Sequence, residues 1–188
     1  RGMGVLLTGD PAVGKSELAL DLSTRGSRLV ADDAPEFTRI APDIVSGTCP
    51  PLLREFLEVR GLGILNIRAM FGDSSIKRQK YLRLIVHLKR MSADQISSMD
   101  RLSGTHANLD VLGVSIPHVT VPVAPGRNLS VLVESAVRNH LLRLKGYDAT
   151  EVLIERQQQA NLQQSRTRPE PLGNVHSSPS TFHRCRRT

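Results

Sequence analysis

Eight consecutive residues near the start of the sequence spell GDPAVGKS: Gly9, Asp10, Pro11, Ala12, Val13, Gly14, Lys15 and Ser16. They match the pattern G-x-x-x-x-G-K-[ST] of a phosphate-binding loop, which lies between a buried strand and a helix. Both flanks fit, because residues 3–8 form an apolar run and residues 17–22 are good helix formers. The sequence therefore predicts a strand, a phosphate loop and a helix in that order.

The residue types in this loop suit the binding of a phosphate chain. Gly9 and Gly14 permit backbone conformations that turn successive N–H groups inward, and the helix N-terminus adds partial positive charge. We expect Lys15 to reach the outer phosphates and the hydroxyl of Ser16 to bind Mg²⁺. A chance match on an ordinary strand, turn and helix is the alternative, which the correct flanks disfavour.

Composition excludes several classes of protein. The 188 residues are enough for one domain with a core, which must consist of Leu, Val, Ile and Ala because only 3% of residues are aromatic. Cys49 and Cys185 lie far apart and lack metal-binding spacing, which indicates a reducing compartment, so we expect a cytoplasmic protein. No apolar run approaches about 18 residues, so no membrane span is predicted. The sequence begins almost inside a strand, and we expect it to be a fragment.

The net charge of +7 is unevenly distributed. Residues 166–188 contain five Arg and one Glu, a charge of +4, which leaves +3 for residues 1–165. This change in composition predicts a catalytic domain at residues 1–165 and a disordered basic tail at residues 166–188. A basic tail can contact nucleic acid, but a solvated tail is the simpler interpretation, and we expect no nucleic-acid partner.

Two carboxylates follow the second apolar segment. Residues 28–31 predict a short strand that ends in Asp32 and Asp33. P-loop proteins use an acidic residue after a strand to approach their metal, and adjacent strand residues point to opposite sides. One carboxylate is then expected to face the metal and the other the acceptor. A loop or helix cap is the alternative explanation for an Asp at this place.

Residues 58–67, EVRGLGILNI, form an unusual segment. Glu58 could complete the oxygen shell of Mg²⁺, and Arg60 could bind a phosphate with two hydrogen bonds. Gly61 and Gly63 would allow a ligand to approach the backbone closely. Judged from these residues alone, an ordinary ion pair followed by a turn explains the segment equally well.

Periodicity predicts the remaining elements. They are a strand or hairpin at residues 37–46, a short helix at 52–57, a polar loop at 71–80, a central strand at 81–88, strands at 109–112 and 114–123, and helices at 129–144 and from Ala149 onward. Pro117 and Pro122 indicate that the strand at residues 114–123 lies at an edge or bends. Gly146 suits the end of the helix at residues 129–144.

In their order along the chain, the segments GDPAVGKSE, LVADD, EVRGLGILNI, LIVHL, DRL, VPVAPGRN and GYDAT resemble HPr kinase/phosphorylase. The resemblance covers about residues 1–150 and is most specific at residues 58–67. It implies an α/β protein with the P-loop kinase fold of the phosphoenolpyruvate carboxykinase type, in which helices flank a mixed central sheet.

This resemblance also implies a bifunctional bacterial enzyme that regulates carbon metabolism. It would phosphorylate a serine of the phosphocarrier protein HPr with ATP or pyrophosphate. It would remove that phosphoryl group with inorganic phosphate and release pyrophosphate. Its partners would be HPr and the other subunits of a homohexamer.

Individual roles follow from the same resemblance. Residues 9–16 would bind the nucleotide, with Lys15 as the catalytic lysine and with Ser16 and Glu58 as Mg²⁺ ligands. The Asp32–Asp33 pair would contain the residue that takes the serine proton in the kinase reaction and returns a proton in phosphorolysis. Asp33 is favoured for this role, and Asp32 is its close competitor.

Two further arginines have counterparts in the family. Arg101 matches an active-site arginine. Residues 122–127 match a loop that is needed mainly for dephosphorylation, and their candidate residues are Pro122, Gly126 and Arg127.

The chain departs from the family in its phosphate loop, where Pro11 and Ala12 replace the usual Ser-Gly and proline removes a backbone donor. The family's N-terminal domain and an active-site histidine would precede Arg1. Another P-loop small-molecule kinase or NTPase is a competing interpretation, but such a protein has no evident use for residues 58–67. A third interpretation is a nucleotide-sensing regulator of transcription, but the presence of Asp32, Asp33 and Glu58 disfavours it.

Overall fold

The computed structural model describes residues 2–99 and 106–167, which divide into two compact units between Asp148 and Ala149. In the first unit the described strands are β1 (Gly4–Gly9), β2 (Glu36–Ala41), β3 (Ile44–Thr48), β4 (Phe56–Val59), β5 (Gly63–Asn66), β6 (Gln79–Arg90), β7 (His106–Val111) and β8 (Val114–Val123). Its helices are α1 (Lys15–Thr24), α2 (Ile67–Phe71), α3 (Ala93–Ser97) and α4 (Leu129–Leu144). The second unit contains α5 (Ala149–Thr167).

A mixed six-stranded sheet forms the centre of the first unit, as predicted. Its order is β2-β3-β6-β8-β7, and β1 pairs with β6. Strand β6 lies parallel to both β1 and β8, whereas the β2–β3, β3–β6 and β7–β8 pairs are antiparallel. The three parallel strands therefore end at the same edge of the sheet, at Gly9, Arg90 and Val123.

Strand β6 organises the core because both of its faces are covered. Leu84, Val86 and Leu88 pack with Val13 and with residues of α1 and α4. On the other face, Ile85 packs with residues of β3, β7 and β8. A third cluster lies under the β4–β5 hairpin and consists of Leu57, Val59 and Ile67 packed against side chains of α1. Burial on this scale stabilises the fold by about 1.5–3 kcal/mol for each large apolar side chain.

Several predicted elements are confirmed at or near their predicted bounds. The structure has the hairpin β2–β3, the central strand β6, the β7–β8 hairpin that turns at Gly113, and helix α4 with its predicted bounds. Asn128 begins α4 by accepting a hydrogen bond from the Val131 N–H, and Gly146 follows its end with φ 83°. No helix among the described residues is long and apolar enough to cross a membrane.

Three local predictions are wrong. Residues 28–31 do not form a strand, because only Leu29 forms a bridge, to Ile76. Residues 52–57 contain a 3₁₀ turn at Pro51–Leu53 followed by the start of β4 rather than one short helix. Residues 71–80 are not wholly loop, because they include a second 3₁₀ turn at Asp73–Ser75 and the beginning of β6.

The two prolines of β8 do not mark an edge strand, since β8 lies between β6 and β7. Strand β6 pairs with β8 residues 118–123, and β7 pairs with β8 residues 114–119. Pro117 and Pro122 both fall outside residues 118–119, the part that pairs on both sides. A proline is tolerated where its missing N–H would face no second strand. Each proline thus lies where β8 pairs with only one neighbouring strand.

Helix α5 continues to Thr167, two residues past the predicted domain boundary. Residues 168–188 lie outside the described residues, so the disordered tail stays a prediction. Residues 100–105 also lie outside them, and with them Arg101.

Candidate active site

The phosphate loop joins β1 to α1 and is shaped by its two glycines. Gly9 has φ 148°, and a Cβ at this position would collide with the carbonyl oxygen of Leu88 on β6. Gly14 has φ 99° and begins α1 in the left-handed conformation. Only glycine adopts such a backbone readily, and at Gly9 only glycine fits the space. The predicted strand–loop–helix arrangement is confirmed.

The loop is anchored to the core by Val13, whose side chain is only 5% exposed. Its backbone closes a turn through a 3.2 Å hydrogen bond from the Val13 N–H to the Asp10 carbonyl. Leu18, the first buried residue of α1, donates to the Gly14 carbonyl at 3.0 Å. The loop therefore has a fixed backbone, which is what preorganised anion binding requires.

The ammonium group of Lys15 lies at the loop itself. Its Nζ donates to the carbonyl oxygens of Gly9 and Asp10 at 3.1 and 3.2 Å. The positive charge is thus held at the backbone that would surround a phosphate. Lys15 is half-buried, which strengthens the attraction of its charge for an anion relative to bulk water.

Asp32 connects the phosphate loop to the β4–β5 hairpin. Its Oδ1 lies 3.4 Å from the hydroxyl of Ser16, which donates to it, and its Oδ2 accepts from the backbone N–H of Glu58 at 2.9 Å. Residues that are 16 and 26 positions away from Asp32 in sequence are brought together in this way. The structure therefore places both residues predicted to bind Mg²⁺, Ser16 and Glu58, beside one carboxylate.

Burial raises the pKa of the Asp32 carboxyl, and the neighbouring charges of Asp33 and Glu58 act in the same direction. The hydrogen bonds from Glu58 and Ser16 oppose that shift. Asp33, in contrast, is exposed. The two adjacent carboxylates thus differ in environment: one is held by two partners, and the other is accessible to a substrate.

The described residues contain no cluster of three or more His, Cys, Asp or Glu side chains arranged to bind a metal. Mg²⁺ does not need such a cluster, because it commonly takes one or two carboxylates together with phosphate oxygens and water. Ser16, Asp32 and Glu58 offer hydroxyl and carboxylate oxygens of the kind that Mg²⁺ prefers. The donor chemistry of these residues fits the ion.

The two glycines of residues 58–67 lie at the turn between β4 and β5, and their predicted role in the approach of a ligand stays a prediction. Gly61 and Gly63 have φ 87° and 84°, and a Cβ at either would meet no atom of the described residues within 4 Å. They therefore serve the tight turn between β4 and β5. Arg60 is exposed at this turn. Leu62 and Ile64 are 65% and 73% exposed, so the hairpin presents apolar side chains to solvent.

A second turn follows β8 beside the loop. Pro122 pairs with Lys89, one residue before the β6–β8 pairing ends at Val123, and Gly126 has φ 79° in an open turn. The Arg127 N–H donates to the Ala124 carbonyl at 3.4 Å, and the Arg127 side chain is exposed. This arrangement leaves the guanidinium accessible to an anion.

Sequence reasoning missed Arg90, the last residue of β6. Its guanidinium donates a hydrogen bond to the carbonyl oxygen of Ala12 in the phosphate loop. The parallel pairing of β6 with β1 causes this contact, because Gly9 pairs with Leu88 and Arg90 is two residues further along. A pairing of residues 81–88 with the first strand would have predicted it, but no local pattern indicates that pairing.

Comparison with known proteins relates the chain to one family. Residues 1–157 match the family model described as the HPr Serine kinase C-terminal domain. The HPr kinase/phosphorylases of Xanthomonas campestris pv. campestris (strain B100) and Xanthomonas oryzae pv. oryzae (strain PXO99A) are each 57% identical to it over 166 residues. These alignments cover 88% of this chain and 52% of each relative, so the chain spans about half the length of the curated relatives it matches.

A solved structure is also similar. The Hpr(Ser) kinase/phosphatase from Coxiella burnetii has a TM-score of 0.70 and 34% sequence identity with this chain. The match covers 80% of this chain and 90% of that chain.

Proposed function

The chain belongs to the HPr serine kinase C-terminal domain family, and on that premise we propose that it is a bifunctional kinase/phosphorylase of the phosphocarrier HPr. As a kinase it transfers a phosphoryl group from ATP or pyrophosphate to an HPr serine. As a phosphorylase it transfers that group to inorganic phosphate and releases pyrophosphate. The observation that carries this proposal is the carboxylate of Asp32 between Ser16 of the phosphate loop and the backbone of Glu58.

A serine hydroxyl is a poor nucleophile unless a base accepts its proton. We assign that role to Asp33, because its exposed carboxylate is accessible to a serine on a second protein. Asp32 then positions the site through its two hydrogen bonds and remains the competing candidate for the base. In phosphorolysis the protonated carboxyl returns its proton to the serine oxygen as the phosphorus–oxygen bond breaks.

The phosphate chain of the donor is bound by residues 9–16, with the N–H groups of the loop and the α1 N-terminus supplying positive potential. Lys15 stabilises the charge that develops on the transferred group, and the resemblance adds Arg101 to this role. Ser16 and Glu58 would hold Mg²⁺, which neutralises phosphate charge when bound. Pro122, Gly126 and Arg127 belong to the turn that serves phosphorolysis, where the accessible guanidinium would bind inorganic phosphate.

The exposed apolar side chains of the β4–β5 hairpin support the proposal that the substrate is a protein. Phe56, Leu62 and Ile64 are 42%, 65% and 73% exposed, and apolar residues grouped at a surface mark interaction sites. We assign this surface, with Arg60 at its turn, to the docking of HPr. The family resemblance extends the proposal to the phosphoenolpyruvate carboxykinase type of fold, a homohexamer and a cytoplasmic location.

Mass spectrometry of HPr tests the proposed function. HPr is incubated with the chain, Mg²⁺ and ATP, and afterwards with inorganic phosphate. We expect one phosphoryl group on a serine and its removal with release of pyrophosphate. Unmodified HPr in a sample that binds ATP would contradict the assignment of HPr as substrate for this chain, and absence of ATP binding would contradict the assignment of the phosphate loop.

A further inference from the structure

A cleft of about 540 Å³ opens at the edge of the sheet where the parallel strands end. Ligands of open α/β sheets bind outside the carboxyl ends of their strands. Strand β1 leads into the phosphate loop at this edge, β6 contributes Arg90 and is followed by Met91, and β8 contributes Val123 and is followed by Ala124 and Pro125. The cleft therefore lies where this type of sheet places its ligands.

The cleft is continuous with the phosphate loop. Val13 is a loop residue and also lines the cleft. Arg90, another lining residue, donates a hydrogen bond to the loop carbonyl of Ala12. A molecule whose phosphates occupy the loop would thus have this cleft beside it.

The lining of the cleft suits a flat aromatic group. Val13, Met91, Val123 and Pro125 supply apolar surface, and a methionine sulfur contacts aromatic rings favourably. The guanidinium of Arg90 can stack on an aromatic ring through a cation–π contact. A volume of about 540 Å³ lies within the range of roughly 300–1,000 Å³ that is usual for small-molecule sites.

The walls are held in place before any ligand binds. The Met91 N–H donates to the Val123 carbonyl at 3.1 Å and joins the ends of β6 and β8. Val13 is almost fully buried, and Val123 packs against the same core cluster. A preformed apolar wall of this kind lowers the cost of binding.

We propose that this cleft binds the nucleoside of the triphosphate donor, with the base against Met91, Val123 and Arg90. The inference rests on the proposed function and adds a specificity site to it. It also distinguishes ATP from pyrophosphate as phosphoryl donors, because only ATP carries a base that can fill the cleft. The cleft would contribute affinity to ATP alone.

Isothermal titration calorimetry in the presence of Mg²⁺ tests this site, with a non-hydrolysable ATP analogue and inorganic tripolyphosphate as ligands. We expect wild type to bind the analogue about tenfold more tightly than tripolyphosphate, as stacking of one base can supply. Met91→Ala should weaken the analogue about fivefold and leave tripolyphosphate unchanged. Ala124→Leu, which fills the cleft from another lining position, should reproduce this selective loss.

Met70→Ala is the matched control, because Met70 is 52% exposed on α2 and does not line the cleft. It should leave both ligands unchanged. Equal affinities of wild type for the analogue and tripolyphosphate would overturn the base site but not the phosphate loop. The same holds if Met91→Ala and Ala124→Leu weaken both ligands in parallel. Failure of wild type to bind either ligand would overturn the loop assignment and the base site together.

Discussion

The phosphate loop and the β4–β5 hairpin both contain a hydrogen-bond partner of Asp32 but are built in opposite ways. The loop places Val13 and the following Leu18 in the core, at 5% and 4% exposure, and its backbone is fixed by internal hydrogen bonds. The hairpin buries Leu57 and Val59 on one face but leaves Leu62 and Ile64 mostly exposed at and after its turn. The first region is packed into the core, whereas the second presents apolar surface that the described residues do not cover.

Under the proposed function, this difference separates two tasks. Binding of phosphate requires donors that are fixed before the ligand arrives, and the core provides that rigidity. Recognition of a protein requires accessible apolar surface, which the hairpin provides. Asp32 is the link, because its two carboxylate oxygens bind Ser16 beside the loop and Glu58 in the hairpin. If the two regions are functionally separate, a change in one of them should leave the task of the other intact.

Lys15→Ala removes the charge of the loop and should have the largest effect. We expect HPr phosphorylation with ATP to fall by on the order of a thousandfold, with an unchanged circular dichroism spectrum. Lys145→Ala, at an exposed lysine that follows α4, is the control and should retain full activity. Near-normal turnover of the Lys15 variant would contradict its assignment to transition-state stabilisation.

Asp33→Ala should affect chemistry more than donor binding. Loss of a general base lowers kcat by about 100- to 1,000-fold, while calorimetry should show unchanged affinity for ATP. Asp43→Ala, at the exposed turn between β2 and β3, is the matched control. A parallel loss of ATP affinity and kcat would instead assign Asp33 to the metal and favour Asp32 as the base.

Leu62→Glu tests the hairpin without touching the loop. We expect KM for HPr to rise about tenfold, with unchanged affinity for ATP, because a charge would replace apolar contact surface. Leu144→Glu, on α4, is a close control since Leu144 is 62% exposed and Leu62 is 65% exposed. An unchanged KM would show that HPr docks elsewhere, and a loss of ATP affinity would show that the two regions are coupled.

Asp32→Asn should lower transfer less than Lys15→Ala does and should stabilise the fold slightly. The raised pKa of Asp32 means that its charged form is less favourable in the folded protein, and the amide keeps an acceptor for Glu58 and a donor for Ser16. We expect Tm at pH 7 to rise by about 2–4 °C. Asp43→Asn, at the exposed turn, should leave Tm unchanged.

Folding stability depends on pH because the pKa of Asp32 differs between the folded and unfolded protein. A folded-state pKa above the ordinary 3.8 means that stability present below 3.8 is lost as pH rises through the raised value. The advantage of Asp32→Asn is therefore complete at neutral pH and shrinks as pH falls towards 3.8. A difference in Tm between variant and wild type that does not change with pH would assign the gain to packing rather than to charge.

Predictions succeeded where the signal is local and repeated. The phosphate loop combines glycines with Lys15 and Ser16 at set spacing, and α4 combines regular apolar periodicity with Asn128 and Gly146 at its ends. The strand predicted at residues 28–31 is absent, because an apolar run becomes a strand only when a neighbouring strand pairs with it. Here only Leu29 forms a bridge. The positive φ values of the hairpin glycines suit its turn, and the predicted approach of a ligand to them stays a prediction.

Local sequence was thus sufficient to identify the phosphate loop, its flanking elements and, through the order of its motifs, the resemblance to the HPr kinase family. The tertiary structure alone brought Asp32 to Ser16 and Glu58, placed Arg90 against Ala12, and opened a cleft where β1, β6 and β8 end together. The physical reason is that these contacts depend on the order in which strands pair. That order is determined by how the whole sheet buries its apolar faces, which no short segment encodes.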